Sequence, residues 1–108
     1  LNVSLNQTTK GMVNKKFLSK MSQDAVIINT SRGDVIVESD MIKALNEKII
    51  KGASLDVFSE EPLHINHPFL KMKNVILTPH ISGSSPVEKT IKNMSHNIQN
   101  HFTRNQMK

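Results

Sequence analysis

Arg32, Asp56, Glu61 and His80 are the residues of this sequence whose types, taken together, could do chemistry. Each stands at or just past the end of a short apolar run. Arg32 follows Ala25-Val26-Ile27-Ile28 and the polar Asn29-Thr30-Ser31. Asp56 sits near the end of Ala53-Ser54-Leu55-Asp56-Val57-Phe58, with Glu61 close behind, and His80 follows Val75-Ile76-Leu77-Thr78-Pro79. A planar guanidinium grips a carboxylate or phosphate through two parallel hydrogen bonds. An imidazole gives or takes a proton near neutral pH, and a carboxylate beside it stabilises the imidazolium form. Such a set would suit reduction of a 2-keto acid, with Arg32 on the acid group, His80 supplying or removing a proton and hydride from a cofactor. Taken singly, each residue also has the plainer reading of a charged side chain in a surface turn or loop.

Whether these side chains can meet depends on the elements that carry them. Residues 25–28 are four successive apolar residues, three of them β-branched, which reads as a strand, 25–29, buried on both faces of a parallel sheet. Upstream, residues 1–5 alternate apolar and polar as a short strand would, and Asn14 is a good cap for a helix running to about Met21 with Phe17, Leu18 and Met21 on one face. Downstream, residues 34–37 have no clear assignment. Met41, Ile42 and Leu45 make one face of a helix over 38–46, with Glu38 and Asp40 in its first turn suited to the helix dipole. Strands are expected over 53–58 and 74–78, separated by a polar loop over 59–68 and one helical turn at Phe69-Leu70. Ser85-Pro86-Val87-Glu88 is a capping box, and Val87, Ile91, Met94, Ile98 and Phe102 form the apolar stripe of a last helix. Alternation of strands and helices predicts an α/β fold with a parallel sheet. In such sheets ligands bind past the carboxyl ends of the strands, so Arg32, Asp56, Glu61 and His80 are expected along one edge.

Composition narrows the classes further. The chain has 108 residues, room for one small domain with a modest core. It has no cysteine, which excludes disulfide and thiolate chemistry and fits a reducing, cytoplasmic setting. No charged-then-apolar leader and no apolar run near membrane length is present in the sequence. The net charge is +5, but the lysines are scattered, Tyr and Trp are absent and Phe occurs only 4 times, which argues against nucleic-acid binding. His64 and His67 are three apart without an obvious third ligand and read as loop histidines rather than a metal site.

The residues also carry a family resemblance. Ile28-Asn29-Thr30-Ser31-Arg32-Gly33-Asp34-Val35, Leu55-Asp56-Val57-Phe58-Ser59-Glu60-Glu61-Pro62-Leu63, His67-Pro68, and Asn74-Val75-Ile76-Leu77-Thr78-Pro79-His80-Ile81 resemble the successive signatures of D-isomer-specific 2-hydroxyacid dehydrogenases, nearest their glyoxylate/hydroxypyruvate-reducing branch. The likeness runs in order to at least Ser85. It implies that Arg32 binds the substrate carboxylate, that His80 is the acid/base and that Glu61 is its paired carboxylate. It also implies that Asp56 lies near the nicotinamide, and that Ser4, Thr30, Ser31 and Gly83 line the cofactor. The implied cofactor is NAD or NADP, with NADPH favoured by the branch resembled. The implied substrate is a small 2-keto acid, and the implied intact protein is a homodimer. Related transcriptional corepressors keep the same Arg, Glu and His, which leaves open a nucleotide-sensing binding module of the same fold.

Two departures from the family pattern matter. No G-x-G-x-x-G phosphate loop occurs, since the glycines are Gly11, Gly33, Gly52 and Gly83. The expectation is that residues 1–108 are the C-terminal half of a Rossmann-type doubly wound sheet, a fragment of a longer protein that lacks the phosphate cradle and substrate domain. Val37 stands where an Asp usually caps the next helix, so Glu38 or Ser39 is expected to cap it instead.

Overall fold

The apolar run at Ile27 forms the first strand of a small parallel sheet. In this computed structural model residues 1–82, 95, 96, 98–100 and 103 are described. Three strands, β1 (Val26–Asn29), β2 (Gly52–Leu55) and β3 (Val75–Leu77), lie side by side in sequence order. Both pairings are parallel, with Val26 opposite Gly52 and Asn29 opposite Leu55, then Ala53 opposite Val75 and Leu55 opposite Leu77. Helix α2 (Glu38–Asn46) crosses from β1 to β2, and a 310 turn, Pro68–Lys71, precedes β3. This is the expected α/β architecture, with β1 starting one residue late, β2 starting one residue early and ending three early, and β3 one residue shorter at each end.

The core forms where the helix and strand patterns meet. Met41, Ala44 and Leu45 of α2 pack in one cluster with Ile27, Ala53, Leu55, Phe69 and Val75. Helix α1 (Lys15–Ser19) is far too short to be stable alone. Asn14 caps it by accepting from the Phe17 amide at 3.1 Å, Asp40 of α2 accepts from the Lys15 amide at 2.8 Å, and buried Leu18 anchors it. The unassigned stretch 34–37 resolves into a 310 turn, Gly33–Val35, followed by a single parallel bridge between Val13 and Ile36. Buried Val13 and Val35 make that junction part of the core.

Four expectations are corrected. Residues 1–5 form no strand: Leu1 donates its backbone nitrogen to the Ile28 carbonyl, but no ladder continues and Leu5 is exposed. Helix α1 ends at Ser19 rather than near Met21. Strand β1 is buried on one face only, because Ile27 enters the core while Ile28 is 39% exposed. Val37 occupies the N-cap of α2 without a side-chain cap bond, and the carboxylate of Glu38 turns away from the helix end to the loop after β2. The expected capping box at 85–88 lies outside the described residues, as does most of the stripe beyond it. Among the described residues no helix is long and apolar enough to cross a membrane.

Candidate active site

The carboxyl edge of the sheet is built by two buried polar side chains. Asn29, at the end of β1, accepts from both the amide (3.1 Å) and the hydroxyl (2.8 Å) of Ser31 and donates to the Arg32 carbonyl at 3.0 Å. One side chain thereby closes the turn Asn29–Arg32, in the manner of an Asx turn. Arg32 emerges exposed, its guanidinium donating to the Ser31 carbonyl at 2.7 Å. Gly33 then touches the loop after β2. A Cβ at Gly33 would lie 1.9 Å from the Phe58 carbonyl carbon and 2.2 Å from its oxygen, so only glycine fits this approach.

Asp56, just past β2, is 0% exposed. Its carboxylate accepts from the Thr78 hydroxyl, the Ile81 amide at 3.0 Å and the Ser82 amide at 3.1 Å, while its carbonyl accepts from the His80 amide at 2.9 Å. Burial pushes the Asp56 carboxyl up, but those donors favour the ionised form more strongly, and the net position is below the ordinary aspartate range. The loop they gather holds His80 at φ 54, the left-handed region that costs a non-glycine residue strain unless its surroundings hold it there.

Glu61 meets His80 directly. The His80 Nδ1 lies 2.7 Å from Glu61 Oε2, and the other carboxylate oxygen accepts from the Phe58 amide at 3.0 Å. The hydrogen bond from His80, followed by that from Phe58, holds the Glu61 carboxyl below its ordinary range against a smaller opposing effect of burial. An ionised carboxylate only accepts, so Nδ1 carries the proton and Nε2 is the ring nitrogen left to face a reactant. The pair is open to solvent, with the His80 side chain 50% and that of Glu61 34% exposed. Beside it runs an open cleft of about 510 Å³ walled by Phe58, Pro62, Leu63, Leu70, Leu77 and Pro79.

Of the residues expected at the site, the structure joins Glu61 to His80 and places Asp56 under the loop that carries His80. Arg32 follows the neighbouring strand β1 and turns its guanidinium to the Ser31 carbonyl instead of joining that pair. Thr30 is half-buried and Ser31 buried in the Asn29 turn. Ser4 is exposed, and its carbonyl accepts from the Thr9 hydroxyl at 2.6 Å. Gly83 lies outside the described residues. Sequence reasoning missed Asn29 and Thr78 as scaffold groups, and Glu38, which reaches Ser59 and His67. Glu38 lies 21 and 29 positions from those two partners, so no local spacing could reveal the link.

A parallel sheet whose carboxyl edge carries a solvent-open imidazole–carboxylate pair defines a Rossmann-type domain with a site where such folds place theirs. The family model for "D-isomer specific 2-hydroxyacid dehydrogenase, NAD binding domain" matches residues 1–82, and the chain belongs to that family. It is 48% identical over 82 residues to the human glyoxylate reductase/hydroxypyruvate reductase, covering 76% of this chain and 25% of that protein. Among solved structures it is similar to the NADPH-dependent glyoxylate/hydroxypyruvate reductase of Sinorhizobium meliloti in apo form, with TM-score 0.74, 38% identity and coverage of 82% of this chain and 46% of that one. It is also similar to a D-isomer specific 2-hydroxyacid dehydrogenase from Xanthobacter autotrophicus Py2 in complex with NADPH and MES, with TM-score 0.73, 38% identity and coverage of 75% and 26%. The chain spans about a quarter of the length of the curated relatives it matches.

Proposed function

We propose that this chain is the C-terminal part of the nucleotide domain of an NAD(P)-dependent reductase, which converts glyoxylate, hydroxypyruvate or a similar small 2-keto acid to a D-2-hydroxy acid. The observation that carries this reading is the 2.7 Å contact between His80 and Glu61 on the carboxyl edge of the sheet. Within the reading, Arg32 holds the substrate carboxylate through its planar fork. His80, protonated, gives the proton on Nε2 to the carbonyl oxygen, and Glu61 keeps the Nδ1 proton in place before and after the transfer. Arg32 and the imidazolium also stabilise the negative charge that develops on that oxygen. Bound NAD(P)H supplies the hydride.

The residues present fit one end of such a cofactor. Thr30, Ser31 and the turn that Asn29 closes stand at the carboxyl edge, where the nicotinamide end would lie. The carboxylate of Asp56 is taken up by Thr78, Ile81 and Ser82, so we assign it to the loop, with any contact to the cofactor secondary. No glycine-rich phosphate cradle is encoded in these 108 residues. The reading therefore expects the isolated chain to have little activity, and extends to a cytoplasmic, homodimeric intact protein whose mass in solution can be measured. The human and Sinorhizobium meliloti relatives are named for reductase activity and the Xanthobacter autotrophicus one as a dehydrogenase, and the corepressor alternative gains no support from them.

The test is an assay of the intact protein for oxidation of NADPH and NADH with glyoxylate and hydroxypyruvate. Turnover with either acid is expected, with a loss of about a thousandfold in His80→Ala, the scale of positioned proton transfer. A protein that oxidises neither nucleotide with any small 2-keto acid would refute the proposal.

A further inference from the structure

Glu38 opens α2 and would ordinarily be read as an acidic residue complementing the helix dipole. Its carboxylate does something more specific. Oε1 accepts from the Ser59 amide at 2.9 Å, and Oε2 lies 3.2 Å from Nε2 of His67. The other nitrogen of that ring accepts from the Phe69 amide at 3.3 Å, which leaves Nε2 as the donor to Glu38. Both side chains are mostly withdrawn from water, Glu38 at 22% and His67 at 18% exposed. A carboxylate so far buried is costly unless its oxygens are hydrogen-bonded, and these are.

The two partners of Glu38 bracket the loop that carries Glu61. Ser59 follows Phe58, whose own amide goes to Glu61 at 3.0 Å, so consecutive amides are gripped by two different carboxylates. Gly33, five positions before Glu38, presses on the same Phe58–Ser59 peptide. The segment Arg32–Glu38 and the loop Phe58–His67 are thus joined at the Phe58–Ser59 peptide, by contact and by hydrogen bond, and again at His67. We propose that Glu38 is a positioning residue: it pins the loop bearing Glu61 to the segment bearing Arg32, and so holds Glu61 on His80. In its catalytic part this rests on the reductase reading above; in its structural part it does not.

The test compares Glu38→Ala, Glu38→Gln and the exposed-site control Glu47→Gln in the intact protein. Hydrogen exchange, which needs no activity, is read first. Glu38→Ala should lower protection of the peptide spanning Phe58 and Ser59 about tenfold, the worth of one hydrogen bond to a charged group. Glu38→Gln, which keeps an acceptor for Ser59, should restore most of it, and Glu47→Gln should change nothing there. Unaltered exchange in Glu38→Ala overturns the proposal. Turnover is read second, in a double-mutant cycle. Glu38→Ala should lower kcat about tenfold in the native background and have little further effect beside Glu61→Gln, because it acts through Glu61. Equal losses in both backgrounds would make Glu38 merely structural and overturn its catalytic part. If the native protein turns over no 2-keto acid, the reductase reading fails by itself and hydrogen exchange still decides the loop's anchor.

Discussion

Asp56 and Glu61 are carboxylates five positions apart, both ionised more readily than usual, and the molecule uses them in opposite ways. Asp56 is sealed under the sheet edge and receives its donors from Thr78, Ile81 and Ser82. Glu61 stands on the outer loop, with one oxygen on the Phe58 amide and the other on the His80 ring. The first builds the loop; the second partners the side chain the loop displays. Asn29 and Arg32 repeat the division one strand away, a buried amide closing the turn and an exposed guanidinium presented by it. Polar groups at the strand ends are therefore sorted by burial, with Asn29 and Asp56 as scaffold beneath the displayed side chains Arg32 and His80.

The largest effect expected of this division is on folding. Asp56→Ala leaves two backbone amides and a hydroxyl without their acceptor in a part-buried place, and buried unsatisfied groups cost about 1–3 kcal/mol each. We expect a loss of about 3 kcal/mol or more in urea unfolding of the intact protein, while Glu61→Gln stays within about 0.5 kcal/mol of the native value. Comparable losses in the two variants would abolish the distinction. Next in size, Gly33→Ala drives a Cβ into the Phe58 carbonyl, and the backbone shift should cost about 2 kcal/mol and lower turnover, since it separates the Arg32 turn from the Glu61 loop. A Gly33→Ala protein of native stability and native turnover would show that the close approach is dispensable.

A smaller effect concerns pH. A carboxyl whose folded pKa lies below its unfolded value adds stability that is fully present above the unfolded value and is lost as pH falls through the folded one. Both carboxyls are of this kind, so the urea midpoint should fall as pH drops below about 4, the ordinary carboxylate range. Asp56→Asn should remove more of that slope than Glu61→Gln, because water screens the exposed pair. Midpoints measured over a pH series check the order, and a larger change from Glu61→Gln reverses the account.

Much of the scaffold was legible before the fold was known. The apolar run at 25–28, the Met41-Ile42-Leu45 face and the Asn14 cap each depend on local pattern, and each marked a real strand or helix, although α1 stops at Ser19 and β1 is covered on one face only. Residues 1–5 share an alternating pattern with real strands, but pairing is a tertiary matter and Leu1 makes the one bond to Ile28. The exposure of Ile28 was hidden for the same reason, since no local rule says which face of a strand is covered. At the site, topology brought Glu61 and His80 to one edge, and the family resemblance implied the roles proposed for them. The burial of Asp56 ran against the usual exposure of aspartate and needed donors from residues 78–82 to be tolerable.

The central claim is that Glu61 acts on chemistry through His80. The most direct measurement is a double-mutant cycle on reductase turnover in the intact protein, with Glu61→Gln, His80→Ala and the two together. Glu61 touches the His80 ring, so Glu61→Gln should lower kcat in the native background and have little further effect beside His80→Ala. Equal losses in both backgrounds would contradict the account and leave the contact with His80 without a catalytic role.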